Sequence, residues 1–291
     1  MIPAAFEFHR PSSVEEAARL VASLGEEARL LAGGHSLIPM MKLRMAAPSA
    51  LIDLGGVESL LGVAVEGGRV RIGAMTTQHM LIADEALAAA APLIREAALQ
   101  IADPQVRYMG TLGGNVANGD PGNDMPGLMQ CLDATFTLVG PEGSRTVRAR
   151  EFYFGPYDTA RAEEELLTEA AFDTHAGAGA GWAYEKQKRK IGDYATAAAA
   201  VLIRMEGGRC ASASVAMTNL ADRPIFSETA GAALIGTALD AASVDAAIAA
   251  MQSDIEPAED NRGPVAFKRH VAGVMLRRAL ARAAERAKGA A

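Results

Sequence analysis

The chain has 291 residues, half of them hydrophobic, and a formal net charge of −7. That length supports two or three compact units with cores of their own, and the acidic balance argues against nucleic acid as a main partner, because phosphate binding needs a concentrated positive field. Only Cys131 and Cys210 are available as thiols, far apart and in apolar context, so neither a zinc site nor an iron–sulfur cluster is built from this chain alone.

The first ten residues mix Glu7, His9 and Arg10 with Phe6 and Phe8, unlike a leader, and no apolar run free of charge is long enough to span a bilayer. A cytoplasmic protein without a transmembrane segment is expected. Ser13-Val-Glu-Glu16 has the capping-box pattern, and Val14, Ala17, Ala18, Val21 and Leu24 follow at helical spacing until Gly25, which predicts a helix from Val14 to Leu24. Arg29 to Ala32 and Leu51 to Leu54 read as short buried strands, so residues 1–55 form a small βαβ lobe. Gly62 to Gly73 alternates about Gly67-Gly68, a hairpin that opens a second lobe at residue 56. Pro92 to Ala102 carries one apolar helical stripe and is predicted to end at Asp103-Pro104. Ala134 to Val139 and Ser144 to Arg148 form another hairpin, with Leu166 to Phe172 as a closing strand and the lobe ending near residue 175.

The small-residue stretch from Ala176 to Gly181 is a linker into a third unit, residues 176–291. Trp182 to Lys186, Ala195 to Met205 and Arg209 to Met217 predict a three-stranded antiparallel sheet. Helices from Ser243 to Met251 and from Pro264 to Ala287 back it, and Val271, Met275 and Leu280 on the last one are left open between core and interface. The fold class is α+β.

Candidate function centres on two glycine turns, Ala32-Gly33-Gly34-His35-Ser36 and Thr111-Leu112-Gly113-Gly114-Asn115. Each alone reads as an ordinary tight turn. Together, with two lobes closing on one elongated nucleotide, they offer backbone N–H groups with no Cβ in the way of a diphosphate. A helix start after the first turn, near Met40-Met41-Lys42, adds its positive end. No G-x-G-x-x-G, P-loop or G-x-S-x-G motif is present. Asp120-Pro-Gly-Asn-Asp124 lacks the glycine and the glutamate of a calcium loop, and His35 and His79 have no partner at metal-ligand spacing, so no metal site is expected. Lys186-Gln-Lys-Arg-Lys190 reads as a solvated strand end.

These segments resemble the FAD-binding medium subunits of molybdenum hydroxylases, the xanthine dehydrogenase family, and most of all those of aerobic carbon monoxide dehydrogenases. The likeness rests on Ala32 to Arg44, Ile101 to Arg107, Gly110 to Asn115, Gly119 to Asp124, Gly181 to Lys186, Gly192-Asp193 and Pro257 to Asp260, and it covers essentially the whole chain. It implies a two-lobed FAD domain of the vanillyl-alcohol-oxidase type (the PCMH fold), followed by a C-terminal antiparallel sheet with helices. Carried onto this sequence, Leu31, Ala32, Gly33, Gly34, His35, Ser36 and Leu37 with Thr111, Leu112, Gly113, Gly114 and Asn115 would cradle the diphosphate. Ile101 would contact the isoalloxazine, Asp124 would hydrogen-bond to the cofactor, and Tyr194 would supply an aromatic ring near the flavin. The resemblance also implies a large molybdopterin subunit that oxidises substrate and a small subunit with two [2Fe-2S] clusters, so this chain would pass electrons to an external acceptor. Pairing of two such heterotrimers is left open. Asn115 and Asn118 stand where related carbon monoxide enzymes can carry Asp and His, which bears on the substrate rather than on FAD. A flavin subunit of an N-heterocycle or aldehyde hydroxylase and a stand-alone FAD oxidase are the alternatives.

Overall fold

A computed structural model describes residues 2–289. The chain opens with β1 (Glu7–His9), α1 (Val14–Leu24), β2 (Ala28–Leu31), α2 (Leu37–Lys42) and β3 (Ala50–Asp53). The three strands make a parallel sheet in the order β1-β3-β2, the small βαβ lobe read from the sequence. Its first helix starts where Ser13 Oγ accepts from the Glu16 N–H at 3.1 Å. The reciprocal half of the box is shifted by one residue: the Glu16 carboxylate accepts from the Ser12 N–H and hydroxyl rather than from Ser13.

The second lobe runs through β4 (Val63–Glu66), β5 (Arg69–Gly73), α3 (Gln78–Ala83), α4 (Glu85–Ala90), α5 (Pro92–Ala98), α6 (Pro104–Met109), α7 (Leu112–Ala117) and α8 (Asp124–Cys131). It continues with β6 (Thr135–Gly140), β7 (Gly143–Arg148), the small β8 (Tyr153–Gly155) and β9 (Asp158–Thr159) pair, and β10 (Leu166–Asp173). Both expected hairpins are present, and β10 joins them into one antiparallel sheet of order β4-β5-β10-β6-β7. Two expectations fail here. The helix that begins at Pro92 stops at Ala98, and Asp103-Pro104 starts the next one: Asp103 Oδ1 accepts from the Val106 N–H at 3.0 Å and Pro104 takes the first helical position, where no N–H is needed. The second glycine pair then lies inside α7, with Thr111 as its cap.

The last unit is an antiparallel meander of β11 (Ala180–Gln187), β12 (Ala197–Glu206), β13 (Arg209–Thr218) and the two-residue β14 (Ile225–Phe226), so the sheet has four strands where three were read. Then come α9 (Glu228–Leu234), α10 (Ala241–Asp254) and α11 (Val265–Ala287). Strand β12 explains its own unbroken apolar run. Ala197, Ala199, Val201 and Ile203 pack with α10 and α11 on one face, where Val271, Met275 and Leu280 turn out to be core, while Ala198 and Ala200 join the core of the second lobe on the other. Helix α8 is sandwiched at that junction and every one of its residues is buried. The second and third sheets thus share packing, which fixes α8 and β11 against one another.

Candidate functional site

One cavity of about 860 Å³ is lined by parts of all three sheets' connections: the end of β2 and residues 32–37, Ile101, the start of α7, the start of α8, Lys186 on β11, and the loop that ends in Tyr194. Its volume lies within the ~300–1,000 Å³ range of ligand sites. Of the residues singled out in the sequence, Leu31, Ala32, Gly33, Gly34, His35, Ser36, Leu37, Ile101, Thr111, Gly113, Gly114, Asn115, Asp124 and Tyr194 all line it. Leu112 does not. Its side chain is fully buried in the core of the second lobe, because it occupies the inward position of the first turn of α7.

The two glycine turns differ in what they offer. No acceptor among the described residues takes the backbone N–H groups of Gly33, Gly34, His35 and Ser36, so this run on the cavity wall is free to bind an anion. Gly34 lies at φ +73°, a conformation glycine adopts without strain. At the second turn the amides are already engaged. Leu112 N–H donates to Thr76 O at 2.9 Å, Gly113 N–H to Ala74 O at 2.8 Å, Gly114 N–H to Thr111 Oγ1 at 3.0 Å and Asn115 N–H to Thr111 O at 3.1 Å. Its glycines serve close packing instead, since a Cβ on Gly113 would sit 2.5 Å from Ala74 Cβ. The same holds for Gly33, whose Cβ would fall on the Met109 carbonyl oxygen and 2.8 Å from Gly110 Cα. The first glycine turn is therefore both a donor run and the place where one lobe's backbone touches the other's.

The same cavity is also lined by members of a buried polar cluster. Asp124, the first residue of α8, accepts from Tyr184 Oη at 2.5 Å and from Lys186 Nζ at 2.7 Å. Lys186 is 1 % and Asp124 6 % exposed at the side chain. This corrects the reading of Lys186 as part of a solvated strand end: Tyr184 and Lys186 are two apart on β11, project from the same face, and reach α8. Burial and the neighbouring Asp124 carboxylate push the Tyr184 hydroxyl well above the usual tyrosine range, so it stays a donor. Of three donors on the Lys186 ammonium, one is used on Asp124 within the chain. Lys188, one turn of the pleat further, does meet solvent and donates to Gln100 O at 3.2 Å.

Asn115 holds the start of α8 in place. Its Oδ1 accepts from Met125 N–H at 3.2 Å and its carbonyl from Asn123 Nδ2 at 2.8 Å. The side chain acts only as an acceptor, a role an aspartate would fill equally. Tyr194 is 40 % exposed at the cavity mouth, and burial raises its hydroxyl to about 12, with Asp120 adding to the shift. Gln78, unremarked in the sequence, also lines the cavity; it is buried, and neither amide atom has a partner among the described residues. Among the described residues no group of three or more His, Cys, Asp or Glu side chains is placed to hold a metal ion.

The free amides, the ammonium with two donors unused within the chain, the unpartnered side-chain amide and the cavity's volume fit a large, anionic, partly aromatic ligand, as a flavin dinucleotide is. Comparison with known proteins agrees. Residues 4–172 match the model of the FAD binding domain in molybdopterin dehydrogenase, and residues 182–283 that of the CO dehydrogenase flavoprotein C-terminal domain. The chain is 57 % identical over 288 residues to the carbon monoxide dehydrogenase medium chain of Afipia carboxidovorans, covering 99 % of this chain and 100 % of the relative. It is 48 % identical over 280 residues to the corresponding chain of Hydrogenophaga pseudoflava, covering 96 % and 97 %. The solved structure of reconstituted CO dehydrogenase from Oligotropha carboxidovorans superposes with a TM-score of 0.96 at 57 % identity, over 98 % of this chain and 100 % of that one.

Proposed function

The chain belongs to the FAD-binding medium-chain family of molybdenum hydroxylases, and on that premise we propose that it is the electron outlet of a carbon monoxide dehydrogenase-type complex. In this reading a large molybdopterin chain oxidises the substrate, a small chain with [2Fe-2S] clusters relays the electrons, and this chain hands them to an external acceptor. FAD supplies the redox chemistry, taking up and releasing electrons at its ring. The chain's own residues bind and orient it. The Gly33 to Ser36 amides would hold the diphosphate, with Ala32, Leu31 and Leu37 shaping the cavity around them and Thr111, Gly113, Gly114 and Asn115 lining it beside them, Gly114 packed close to Ala32. Ile101 and Tyr194 give apolar and aromatic surface to the ring. Asp124 and Lys186 would present to it an acceptor and a donor from one buried, charge-compensated pair.

The observation that carries this reading is the run of four amides without an acceptor among the described residues, lining the same cavity as the Asp124–Lys186 pair. No helix among the described residues is long and apolar enough to cross a membrane; with two unpaired cysteines the chain suits a reducing compartment, and we place it in the cytoplasm. The test is the visible spectrum of the chain purified together with the chains that accompany it, before and after dithionite, with the released cofactor chromatographed. Flavin bands that bleach, one FAD per chain and an iron–sulfur background are expected, as is bleaching by carbon monoxide alone. A colourless preparation refutes FAD binding. Flavin without any co-purifying iron, turning over a small alcohol or aldehyde, supports a stand-alone oxidase instead.

A further inference from the structure

The loop that carries Tyr194 is tied to a part of the chain that does not line the cavity. Asp193 accepts from Arg189 Nε at 2.8 Å within the loop and from Arg262 at 3.3 Å across 69 residues of sequence. Arg262 sits in a tight turn just before α11, where Asp260 Oδ1 accepts from its backbone N–H at 2.8 Å. The Arg262 guanidinium lies within 3.5 Å of Asp260 as well, and Asp260 is in turn 2.9 Å from Lys268 Nζ, an ammonium that is 3 % exposed. Arg189 closes the link by donating to the Asn261 carbonyl at 3.0 Å. The result is a ladder of alternating charge, Lys268–Asp260–Arg262–Asp193–Arg189, from the first turns of α11 to the loop.

The ladder ends at an aromatic ring held from two sides. A Cβ on Gly122 would lie 2.9 Å from Tyr194 Cδ1, so the ring rests on the backbone before α8. The Arg262 guanidinium carbon is 5.6 Å from the ring centroid, within cation–π range. Asp193 also accepts from the Tyr194 N–H at 2.9 Å, which fixes the backbone that carries the ring. The Arg262 Nε–H is buried without an acceptor. Hydrogen bonding alone therefore does not account for where this group sits; its place between Asp193, Asp260 and the Tyr194 ring does.

We propose that Arg262 is a positioning residue for the flavin site, which sets the Tyr194 ring at the cavity mouth by bridging Asp193 and Asp260. The proposal rests on the FAD reading given above. Through it the C-terminal helical unit, remote from the diphosphate, acts on the isoalloxazine end of the cavity. Lysine at this position keeps the charge but not the planar two-pronged bridge, so it restores only part of the effect.

The experiment compares wild type, Arg262→Gln, Arg262→Lys, Tyr194→Ala and the double variant Arg262→Gln/Tyr194→Ala, each purified with its accompanying chains, by FAD affinity and by flavin fluorescence, a readout independent of turnover. Arg277→Gln, which removes an exposed ion pair to Asp245 on the outer face of α11, is the control. R262Q is expected to weaken FAD binding about tenfold, the effect of one partly buried bridging charge, and to raise flavin emission as the tyrosine ring leaves the flavin. R262K falls between, R277Q matches wild type, and R262Q adds nothing to the emission of Y194A. If R262Q does not fold, Asp193→Asn tests the same ladder from the loop side, where Arg262 keeps Asp260 as its partner. Loss of thermal stability with FAD affinity within about twofold of wild type and unchanged emission overturns the proposal and leaves the ladder structural. A wild-type complex devoid of flavin overturns the FAD reading together with it, so the two failures are told apart by the wild-type spectrum alone.

Discussion

Replacing Lys186 by methionine tests the buried cluster most directly. The side chain is 1 % exposed and its partner Asp124 6 %, so the substitution conserves apolar volume while stranding a carboxylate in the interior with Tyr184 as its remaining donor at 2.5 Å. Breaking a buried pair from one side costs about 3–5 kcal/mol, against ~0–1 kcal/mol for an exposed one. The Tyr184 bond keeps Lys186→Met near the lower end, about 3 kcal/mol. Urea denaturation of flavin-free chain is the assay, since a bound cofactor would add its own stabilisation. Adding Asp124→Asn to Lys186→Met should recover about half the loss, the sign of a coupled pair. A cost under about 1 kcal/mol, unaltered by the second substitution, would refute the claim that Lys186 and Asp124 form a desolvated pair.

Gly33→Ala should cost about 1–3 kcal/mol by overpacking and lose bound flavin, because the new methyl collides with the Met109 carbonyl where the lobes meet; thermal melting and FAD release check both. His175 gives the fold a pH dependence of known sign. Burial lowers its ring to about 4 from 6.5, its Nε2 accepts from the Leu93 N–H, and its Nδ1 has no partner. The unfolded chain therefore binds the extra proton first as pH falls. Stability is full above about pH 6.5 and declines by up to about 3 kcal/mol on the way to pH 4, and His175→Gln should flatten the slope of urea midpoint against pH over that range. Both cysteines are buried, and burial raises the Cys131 thiol to about 12 and lifts Cys210 too. Neither should react with a disulfide reagent at about pH 8 until the chain unfolds, so prompt labelling of native protein would contradict their placement.

The elements that the sequence disclosed are those whose signals are local. The Ser13 cap, the paired glycines at Gly67, and the apolar runs that start at Leu51 and Ala195 each act within a few residues, and the corresponding helix, hairpin and strands are present within a residue or two at most ends. The boundary at Asp103 was misread because proline after an aspartate signals both an end and a beginning. The aspartate's hydrogen bond to the Val106 N–H decides for a beginning. The fourth strand, Ile225–Phe226, is two residues long and is a strand only because β13 pairs with it.

The site shows the same division more sharply. The first glycine turn was legible because unpaired amides follow from its own backbone. The amides of the second are engaged instead, two of them by Ala74 and Thr76, some forty residues away in sequence, and two by Thr111 once it caps the helix that those contacts help to place. Lys186 was missed for a related reason. Within Lys186-Gln-Lys-Arg-Lys190 average polarity points to solvent, yet the strand's period of two continues from Tyr184 to Lys186 on the face that carries the second lobe's core. Burying that ammonium is tolerable only with a carboxylate already at the end of its reach, and Asp124 is 62 residues distant in sequence. An alternating strand that runs into a charge cluster therefore marks its first inward charge as a candidate for burial. Whether that charge is paired depends on a helix start that no local pattern on the strand reveals.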